Sequence, residues 1–214
     1  MIKAVIFDFD GVLAESVDIK TRAFAFLFEK EGKDCVRKVV AYHNANSGVS
    51  RFIKFRHIYA DILKRRLDEK MFKRLCAQFS GLVMNEVIKT PFVAGARPFL
   101  TRNASRYELF VASATPQKEI KEIIKRRKMS GFFKGIYGSP RDKSSIVKKI
   151  MKEGGFSPGE VAYVGDALSD YQAALKNRVN FICRSHNNQS IFKNIPLIRK
   201  IKDLTNLESI LKRL

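Results

Sequence analysis

The sequence predicts an α/β fold, a doubly wound parallel sheet that is interrupted by one inserted α-helical segment. Two observations support this prediction. Short apolar runs rich in β-branched residues alternate along the chain with amphipathic helical patterns, as parallel sheets with crossover helices require. One long interval, residues 16–89, breaks this alternation, because it carries helical periodicity but no buried strand.

The apolar runs give the order of the sheet elements. Predicted strands cover residues 3–9, 109–113, 135–137, 161–164 and 181–183. Predicted helices between them cover residues 117–128, 143–153 and 168–176, and an amphipathic helix is expected over residues 203–214. The 214 residues suffice for one sizeable core and a small accessory domain, but not for two catalytic domains.

The inserted segment is predicted to form the accessory domain. Its helices are expected near residues 18–31, 49–66 and 68–88, and Pro91 and Gly95 mark the return to the sheet. We therefore assign residues 1–15 and 90–214 to the α/β core and residues 16–89 to the insertion. Hinges are expected near residues 14–17 and 89–93.

The chain carries a large excess of basic residues, 41 Lys plus Arg against 21 Asp plus Glu, for a formal net charge of +20. Such a charge is compatible with a nucleic-acid partner. However, the basic residues are spread over nearly every segment, without a tail, a repeat or an aromatic-interleaved motif. We therefore expect a solvated basic surface that attracts anionic substrates, and no nucleic-acid partner.

The first residues and the cysteines indicate the cellular setting. The start, MIKAVIFDFDG, has an apolar stretch too short to span a membrane and lacks the basic region and cleavage site of a signal peptide. Cys35, Cys76 and Cys183 lack the paired spacing of a zinc site or redox motif, so we expect free thiols. The expectation is a cytoplasmic protein with no membrane partner, a monomer or a homodimer.

Two acidic clusters each follow a predicted strand. Asp8 and Asp10 come directly after the first strand, and Asp166 and Asp170 follow the strand at 161–164. Open α/β sheets bind ligands at the carboxyl ends of their strands. Carboxylates there can act as a nucleophile and an acid/base, and can hold a hard divalent cation. Each cluster alone has a structural interpretation as well, as a solvated turn or a helix cap.

Groups that favour anion binding lie between the acidic clusters. The hydroxyl of Ser113 and the backbone N–H groups after it can donate to a phosphoryl oxygen, and Lys143 can neutralise negative charge. Taken separately, a Ser after a strand is commonly a helix cap, and a lysine is usually solvated.

Together and in this order, the motifs resemble the haloacid dehalogenase-like hydrolase superfamily, specifically its helical-capped branch of phosphatases and phosphomutases, such as phosphoglycolate phosphatase and β-phosphoglucomutase. The motifs are DFDG at 8–11, SAT at 113–115, Lys143 and GDALSD at 165–170, and the resemblance spans residues 3–15 and about 91–185. It implies a Rossmann-like core with a helical cap, Mg²⁺ as cofactor and a small phosphorylated metabolite as substrate. Glu15, where Asp is frequent, and SPRD before Lys143 depart mildly from the commonest pattern.

The resemblance also implies a role for each motif residue. Asp8 would attack phosphorus and form an aspartyl-phosphate, and Asp10 would protonate the leaving alkoxide and then activate water. The residues implied around the phosphoryl group are Gly11, Ser113, Ala114, Thr115 and Lys143. Those implied around Mg²⁺ are Asp8, Asp10 through its backbone carbonyl, Asp166 and, as an orienting group, Asp170. An aspartate at position 10 argues against a dehalogenase, because a halide leaves without a proton.

A polar cluster in the insertion is our candidate for substrate specificity. Ser47, Arg51 and Lys54 lie at a predicted helix start, where a carboxylate or the hydroxyls of a sugar can bind. The competing interpretation is that Ser47 caps the helix, that Arg51, Lys54 and Arg56 are solvated, and that His43 bonds a neighbouring backbone group.

The motifs leave two other functions open. A sugar phosphomutase would return the phosphoryl group of Asp8 to another hydroxyl of the sugar, and the motifs do not distinguish this outcome from hydrolysis. A low-turnover protein that binds nucleic acid or another anionic partner is suggested by the net charge of +20 and disfavoured by the complete set of catalytic residues.

Overall fold

A computed structural model of the chain describes residues 1–185, 192 and 199–214. Its strands are β1 (Ala4–Phe7), β2 (Glu108–Pro116), β3 (Gly135–Ser139), β4 (Val161–Gly165), β5 (Asn180–Arg184) and β6 (Arg199–Ile201). They form a six-stranded sheet in the order β3-β2-β1-β4-β5-β6, and every neighbouring pair is parallel. The predicted fold class is therefore confirmed. The predicted core includes positions 186–191 and 193–198, which lie outside the described residues.

The α-helices fall into two groups, those that precede β2 in the chain and those that follow it. Those of the first part of the chain are α1 (Val17–Leu27), α2 (Lys33–Ala45), α3 (Arg51–His57), α4 (Glu69–Lys89) and α5 (Ala96–Asn103). Those that follow β2 are α6 (Gln117–Arg126), α7 (Lys143–Gly154), α8 (Leu168–Lys176) and α9 (Leu207–Leu211). A π-helical stretch, Ile58–Ile62, continues α3. No helix among the described residues is long and apolar enough to cross a membrane.

The first strand lies at the centre of the sheet and is buried on both faces. Val5 and Phe7 pack into one apolar cluster, which includes Ile120 of α6, while Ile6 packs into the other, with Ile146 of α7. This alternation explains why the run AVIF is wholly apolar. Because β2 and β4 flank β1, the chain reverses its winding direction beside β1, and a crevice opens at the carboxyl end of that strand.

Most of the residues between β1 and α5 are helical. Residues 17–89, here called the helical segment, contain no strand, and all of them are described. Phe24, Phe55 and Phe79 pack against one another, with ring centroids 4.8–6.0 Å apart. These rings explain the apolar positions of α1, α3 and α4, because each helix turns one face toward this cluster. The division of the chain into a core and an inserted domain stays a prediction.

Two adjacent backbone connections join the helical segment to the sheet. The N–H of Glu15 donates to the carbonyl of Pro91 at 3.1 Å, and Ala14 forms an antiparallel bridge with Phe92. The buried guanidinium of Arg127 donates to the carbonyls of Val87, Ile88 and Thr90 at 2.8–2.9 Å, so it fixes the end of α4. The two predicted hinges, residues 14–17 and 89–93, therefore lie side by side.

Several predicted boundaries were wrong. Helix α2 was not predicted, because only Val39 and His43 of its thirteen residues are buried and the apolar pattern is weak. Helix α5 was also missed, and the helix expected over 203–214 is limited to Leu207–Leu211. Strand β6 was missed because it is a short edge strand that carries Arg199 and Lys200. The helix expected over 49–66 begins at Arg51, with Ser50 rather than Ser47 as its N-cap. The three cysteines are free thiols, as predicted.

Candidate active site

The first acidic cluster lies where β1 ends in the crevice. The backbone N–H of Asp8 still donates to the carbonyl of Val164 in β4, at 2.9 Å, so the sheet fixes the position of this residue. The carboxylate of Asp8 accepts from the N–H of Phe9 at 2.6 Å. Gly11 has a φ of +76°, a left-handed conformation that favours glycine, and its N–H donates to the carbonyl of Ala14. The motif DFDG therefore forms a tight turn immediately after the strand.

A buried lysine joins the two acidic clusters. The ammonium of Lys143, at the first position of α7, donates to Asp8 Oδ2 at 2.7 Å and to Asp170 Oδ1 at 2.6 Å. The hydroxyl of Tyr163 in β4 donates to the same oxygen of Asp170 at 2.7 Å, and the N–H of Ala167 donates to Asp170 Oδ2 at 3.1 Å. Residues 135 positions apart in sequence thus share one ion-pair network.

Burial and crowding of charge shift the pKa values of this network. Burial, with repulsion by Asp170 and Asp10, raises the pKa of Asp8 to about 7 despite the attraction of Lys143. Burial raises the pKa of Asp170 as well, again against Lys143. Burial would lower the pKa of Lys143, but the two carboxylates raise it above its ordinary value, so Lys143 stays charged. In this network, one lysine therefore faces two buried carboxylates.

Three carboxylates of this network fit a divalent cation. One oxygen each from Asp8, Asp166 and Asp170 lie within 4.8 Å of one another, and all three residues are buried. An all-oxygen set of carboxylates suits Mg²⁺. The raised pKa of Asp8 indicates that a further positive charge would be favourable here. The carboxylate of Asp10 is not part of this trio.

Asp10 is held by groups that sequence reasoning did not connect with it. Its carboxylate accepts from Ser16 Oγ at 2.6 Å, from Thr115 Oγ1 at 3.2 Å and, in a short ion pair, from the ammonium of Lys20 in α1. Burial would raise the pKa of Asp10, but the Lys20 charge and these hydrogen bonds lower it overall. Lys20 was missed because nothing in the sequence distinguishes it among 41 basic residues.

The motif at the end of β2 lies beside these carboxylates. Ser113 is buried, and its hydroxyl accepts from the N–H of Thr115 at 3.1 Å. Ala114 and Thr115 line the same cavity as Asp8 and Asp10, whereas Ser113 lines the adjoining groove with Lys143. The sheet thus brings the SAT motif next to both acidic clusters.

The helical segment covers this cavity, which measures about 60 Å³. Ser47, Gly48, Arg51 and Lys54 line it from the helical side. Arg51 and Lys54 are only 5% and 2% exposed, so the competing interpretation, in which both are solvated, is wrong for these two residues. Arg56, in contrast, is exposed.

Arg51 and Lys54 have different partners. The guanidinium of Arg51 makes a two-point ion pair with Glu119 of α6, at 2.6 and 3.3 Å, and donates to Ser80 Oγ at 2.7 Å. The ammonium of Lys54 contacts His43 Nδ1 at 2.9 Å and donates to the His43 carbonyl at 3.2 Å. Glu119 lies outside every motif, and the sequence alone gave no signal that it would meet Arg51.

Comparison with known proteins identifies the family. The family model described as haloacid dehalogenase-like hydrolase matches residues 5–183, which is most of the chain. The chain belongs to the haloacid dehalogenase-like hydrolases. The resemblance predicted from the four motifs is therefore confirmed. No curated protein sequence matches the chain.

Solved structures share the fold of this haloacid dehalogenase-like hydrolase. A β-phosphoglucomutase from Clostridium difficile has a TM-score of 0.80 at 18% identity, with 100% of this chain and 97% of that chain covered. A protein described as a predicted phosphoglycolate phosphatase from Haemophilus somnus has a TM-score of 0.74 at 18% identity, with 98% and 97% covered. A haloacid dehalogenase-like hydrolase from Streptococcus pneumoniae has a TM-score of 0.71 at 18% identity, with 98% of each chain covered. At this identity the likeness concerns the fold alone.

Proposed function

We propose that the protein is a Mg²⁺-dependent phosphatase that hydrolyses a small phosphorylated metabolite through an aspartyl-phosphate on Asp8. The supporting observation is the buried ion-pair network in which Lys143 joins Asp8 to Asp170, with Asp166 within reach of both carboxylates. Such a network is costly to bury without a function, because each charge loses its hydration. It lies at the carboxyl end of β1, where sheets of this type bind ligands.

Asp8 would supply the nucleophile. Its carboxylate oxygen attacks phosphorus, the bond to the ester oxygen breaks, and the phosphoryl group moves to Asp8. Lys143, which stays charged, and the Ser113 hydroxyl would donate to the phosphoryl oxygens. Water then attacks the aspartyl-phosphate, which releases phosphate and restores the carboxylate.

Asp10 would act as the acid and then as the base. In the arrangement described, Lys20 keeps it ionised, which is the form that removes a proton from the attacking water. To protonate the leaving alkoxide, Asp10 must carry a proton and turn from Lys20 toward the ester oxygen. Thr115 and Ser16 bond the same carboxylate and would guide this exchange.

The metal would be held by Asp8 and Asp166, with the carbonyl of Asp10 as a further ligand and Asp170 as an orienting group. When bound, Mg²⁺ supplies positive charge that offsets the repulsion between Asp8 and an anionic phosphate. The helical segment is proposed to be a cap that keeps water out of the cavity while the phosphoryl group is transferred.

The test is a phosphatase assay with a panel of phosphorylated metabolites, with Mg²⁺ or EDTA, for the wild type and Asp8→Asn. We expect Mg²⁺-dependent phosphate release that falls at least about a thousandfold in Asp8→Asn, as expected for loss of a nucleophile. Asp18→Asn, an exposed acid on α1, is the matched control and should keep full activity.

Two results of this assay, and one result of a parallel RNA-binding measurement, would contradict the proposal. Isomerisation of a sugar phosphate without release of phosphate would show a mutase instead. Full turnover by Asp8→Asn would exclude Asp8 as the nucleophile. Salt-dependent RNA binding without any metal-dependent turnover would favour the nucleic-acid hypothesis.

A further inference from the structure

The cations around the cavity differ in their partners. Three of them are paired with carboxylates of the chain: Lys20 with Asp10, Arg51 with Glu119, and Lys143 with Asp8 and Asp170. The fourth, Lys54, has no carboxylate partner among the described residues. A buried ammonium without an anion is unusual, because the loss of hydration is not compensated.

The surroundings of Lys54 leave one of its donors for a ligand. An ammonium has three N–H groups, and His43 supplies two acceptors, its Nδ1 and its carbonyl. Burial and repulsion by Lys54 and Lys20 lower the pKa of His43 to about 2, so this imidazole is neutral and adds no negative charge. Burial, together with repulsion by Lys20 and Lys143, lowers the pKa of Lys54 to about 7, although the charge of Asp10, which is itself paired with Lys20, acts in the opposite direction. An anion bound beside Lys54 would restore its ordinary charge.

Arg51 cannot serve the same purpose in this arrangement. Both of its terminal nitrogens face Glu119, and one of them also donates to Ser80. An anionic ligand would have to displace a two-point ion pair that is itself mostly buried. The capacity of the helical segment to bind an anion therefore lies in Lys54.

We propose that Lys54 binds a carboxylate of the substrate. The substrate is then a small hydroxy acid with a free carboxylate and with phosphate esterified to its hydroxyl, a few atoms from that carboxylate. This inference rests on the proposed phosphatase function and names its substrate class. The ammonium of Lys54 offers one remaining N–H and a single positive charge. A carboxylate, with its single negative charge, matches this better than a second phosphate group does.

Three phosphate esters of matched length test the proposal on the wild type. Phosphoglycolate carries a carboxylate, 2-hydroxyethyl phosphate carries a neutral hydroxyl, and phosphoethanolamine carries a cation. We expect kcat/KM with Mg²⁺ to be about 10–100-fold higher for phosphoglycolate than for the neutral ester, the range of a charge-assisted hydrogen bond. The cationic ester should be the poorest substrate. This ratio requires no variant, so a folding defect cannot obscure it.

Lys54→Met then assigns the preference to one residue. The ratio of phosphoglycolate to the neutral ester should fall to about one, because methionine keeps the apolar stem and removes the charge. Arg56→Met, an exposed cation on the same helix, is the matched control and should leave the ratio unchanged.

The outcomes separate this inference from the proposed function. If the wild type hydrolyses the neutral ester as well as phosphoglycolate, or if Lys54→Met keeps the preference, Lys54 does not bind a carboxylate, while the phosphatase proposal stands. If the wild type with Mg²⁺ hydrolyses none of the three esters or the wider panel, the phosphatase proposal fails and this inference fails with it.

Discussion

At the scale of single residues, the chemistry of the site arises from the removal of water around charged groups. Asp8, Asp170 and Lys143 are all buried. The two carboxylates raise the pKa of Lys143, and burial raises the pKa of each carboxylate. In water these side chains would be ordinary acids and an ordinary base. In the crevice, Asp8 is the proposed nucleophile, and Lys143 is a positive charge that stays beside it.

Tyr163→Phe tests how far the position of Asp170 matters. The Tyr163 hydroxyl donates to Asp170 Oδ1, the oxygen that also accepts from Lys143, so its loss should free Asp170 to turn. We expect kcat to fall about tenfold, as is typical for groups that orient metal ligands, with little change in KM. Tyr137→Phe, a half-buried tyrosine that contacts Glu153, is the control. A kcat for Tyr163→Phe within twofold of the wild type would contradict this account.

His43 should make stability depend on pH. Its folded pKa of about 2 lies far below the 6.5 of an unfolded histidine. Below pH 6.5 the unfolded chain therefore binds a proton that the folded chain does not, and the free energy of unfolding falls as the pH falls. Lys54, whose pKa is lowered to about 7, adds little in this window, because below that pH it is mostly protonated in the folded as well as the unfolded chain.

The measurement is urea unfolding at pH 6.5 and 5.0 for the wild type and His43→Gln, since glutamine can still accept from Lys54. We expect the wild type to lose about 2 kcal/mol more than the variant over this interval, at ~1.4 kcal/mol per pH unit. His57→Gln, on α3 and nearer the surface, should behave as the wild type. Equal losses in all three proteins would show that His43 is protonated in the folded state.

At the scale of elements, one loop of the helical segment rests directly on the site. Gly48, between α2 and α3, has a φ of +74°, and it lies directly against the first turns of α7 and α8. A Cβ at this position would overlap Ser169 Oγ and lie 3.0 Å from the ammonium of Lys143. Only glycine therefore permits the loop to rest on the site.

Gly48→Ala should hold the helical segment away from the site. We expect kcat/KM to fall at least tenfold, because the Cβ pushes the loop off the site. The melting temperature should fall by only a few degrees, the cost of an alanine at a positive φ. Gly81→Ala, in α4 with no atom near a Cβ, is the control and should stabilise the helix by about 0.5–1 kcal/mol. Unchanged kcat/KM in Gly48→Ala would show that this contact is not needed for turnover.

At the scale of the whole molecule, one sheet assembles motifs that are distant along the chain. The turn after β1, the end of β2, the start of α7 and the loop after β4 meet because parallel strands bring their carboxyl ends to one edge. The net charge of +20 is spread over the chain and would attract an anionic substrate to the molecule as a whole.

The elements that could be predicted are those with local signals. The wholly apolar strands and the acidic turns after them identified Asp8, Asp10 and Asp166, since strand burial and turn chemistry are written in adjacent residues. The pairs Asp10–Lys20 and Arg51–Glu119 could not be predicted, because each depends on how the helical segment packs on the sheet. Nothing near Glu119 in the sequence distinguishes it from other surface acids.

The central claim, that Asp8 carries the phosphoryl group, is tested most directly by isolating the phosphorylated enzyme. The Asp10→Asn variant, supplied with p-nitrophenyl phosphate and Mg²⁺, should accumulate the phosphorylated enzyme. The p-nitrophenolate group leaves without an acid, so Asp8 is still phosphorylated, whereas the water that removes the phosphoryl group still needs a base. Peptide mass spectrometry after an acid quench should then find one phosphoryl group, labile to hydroxylamine, on Asp8. Turnover of this substrate by the wild type, with no phosphoryl group on Asp8 in either protein, would contradict the account.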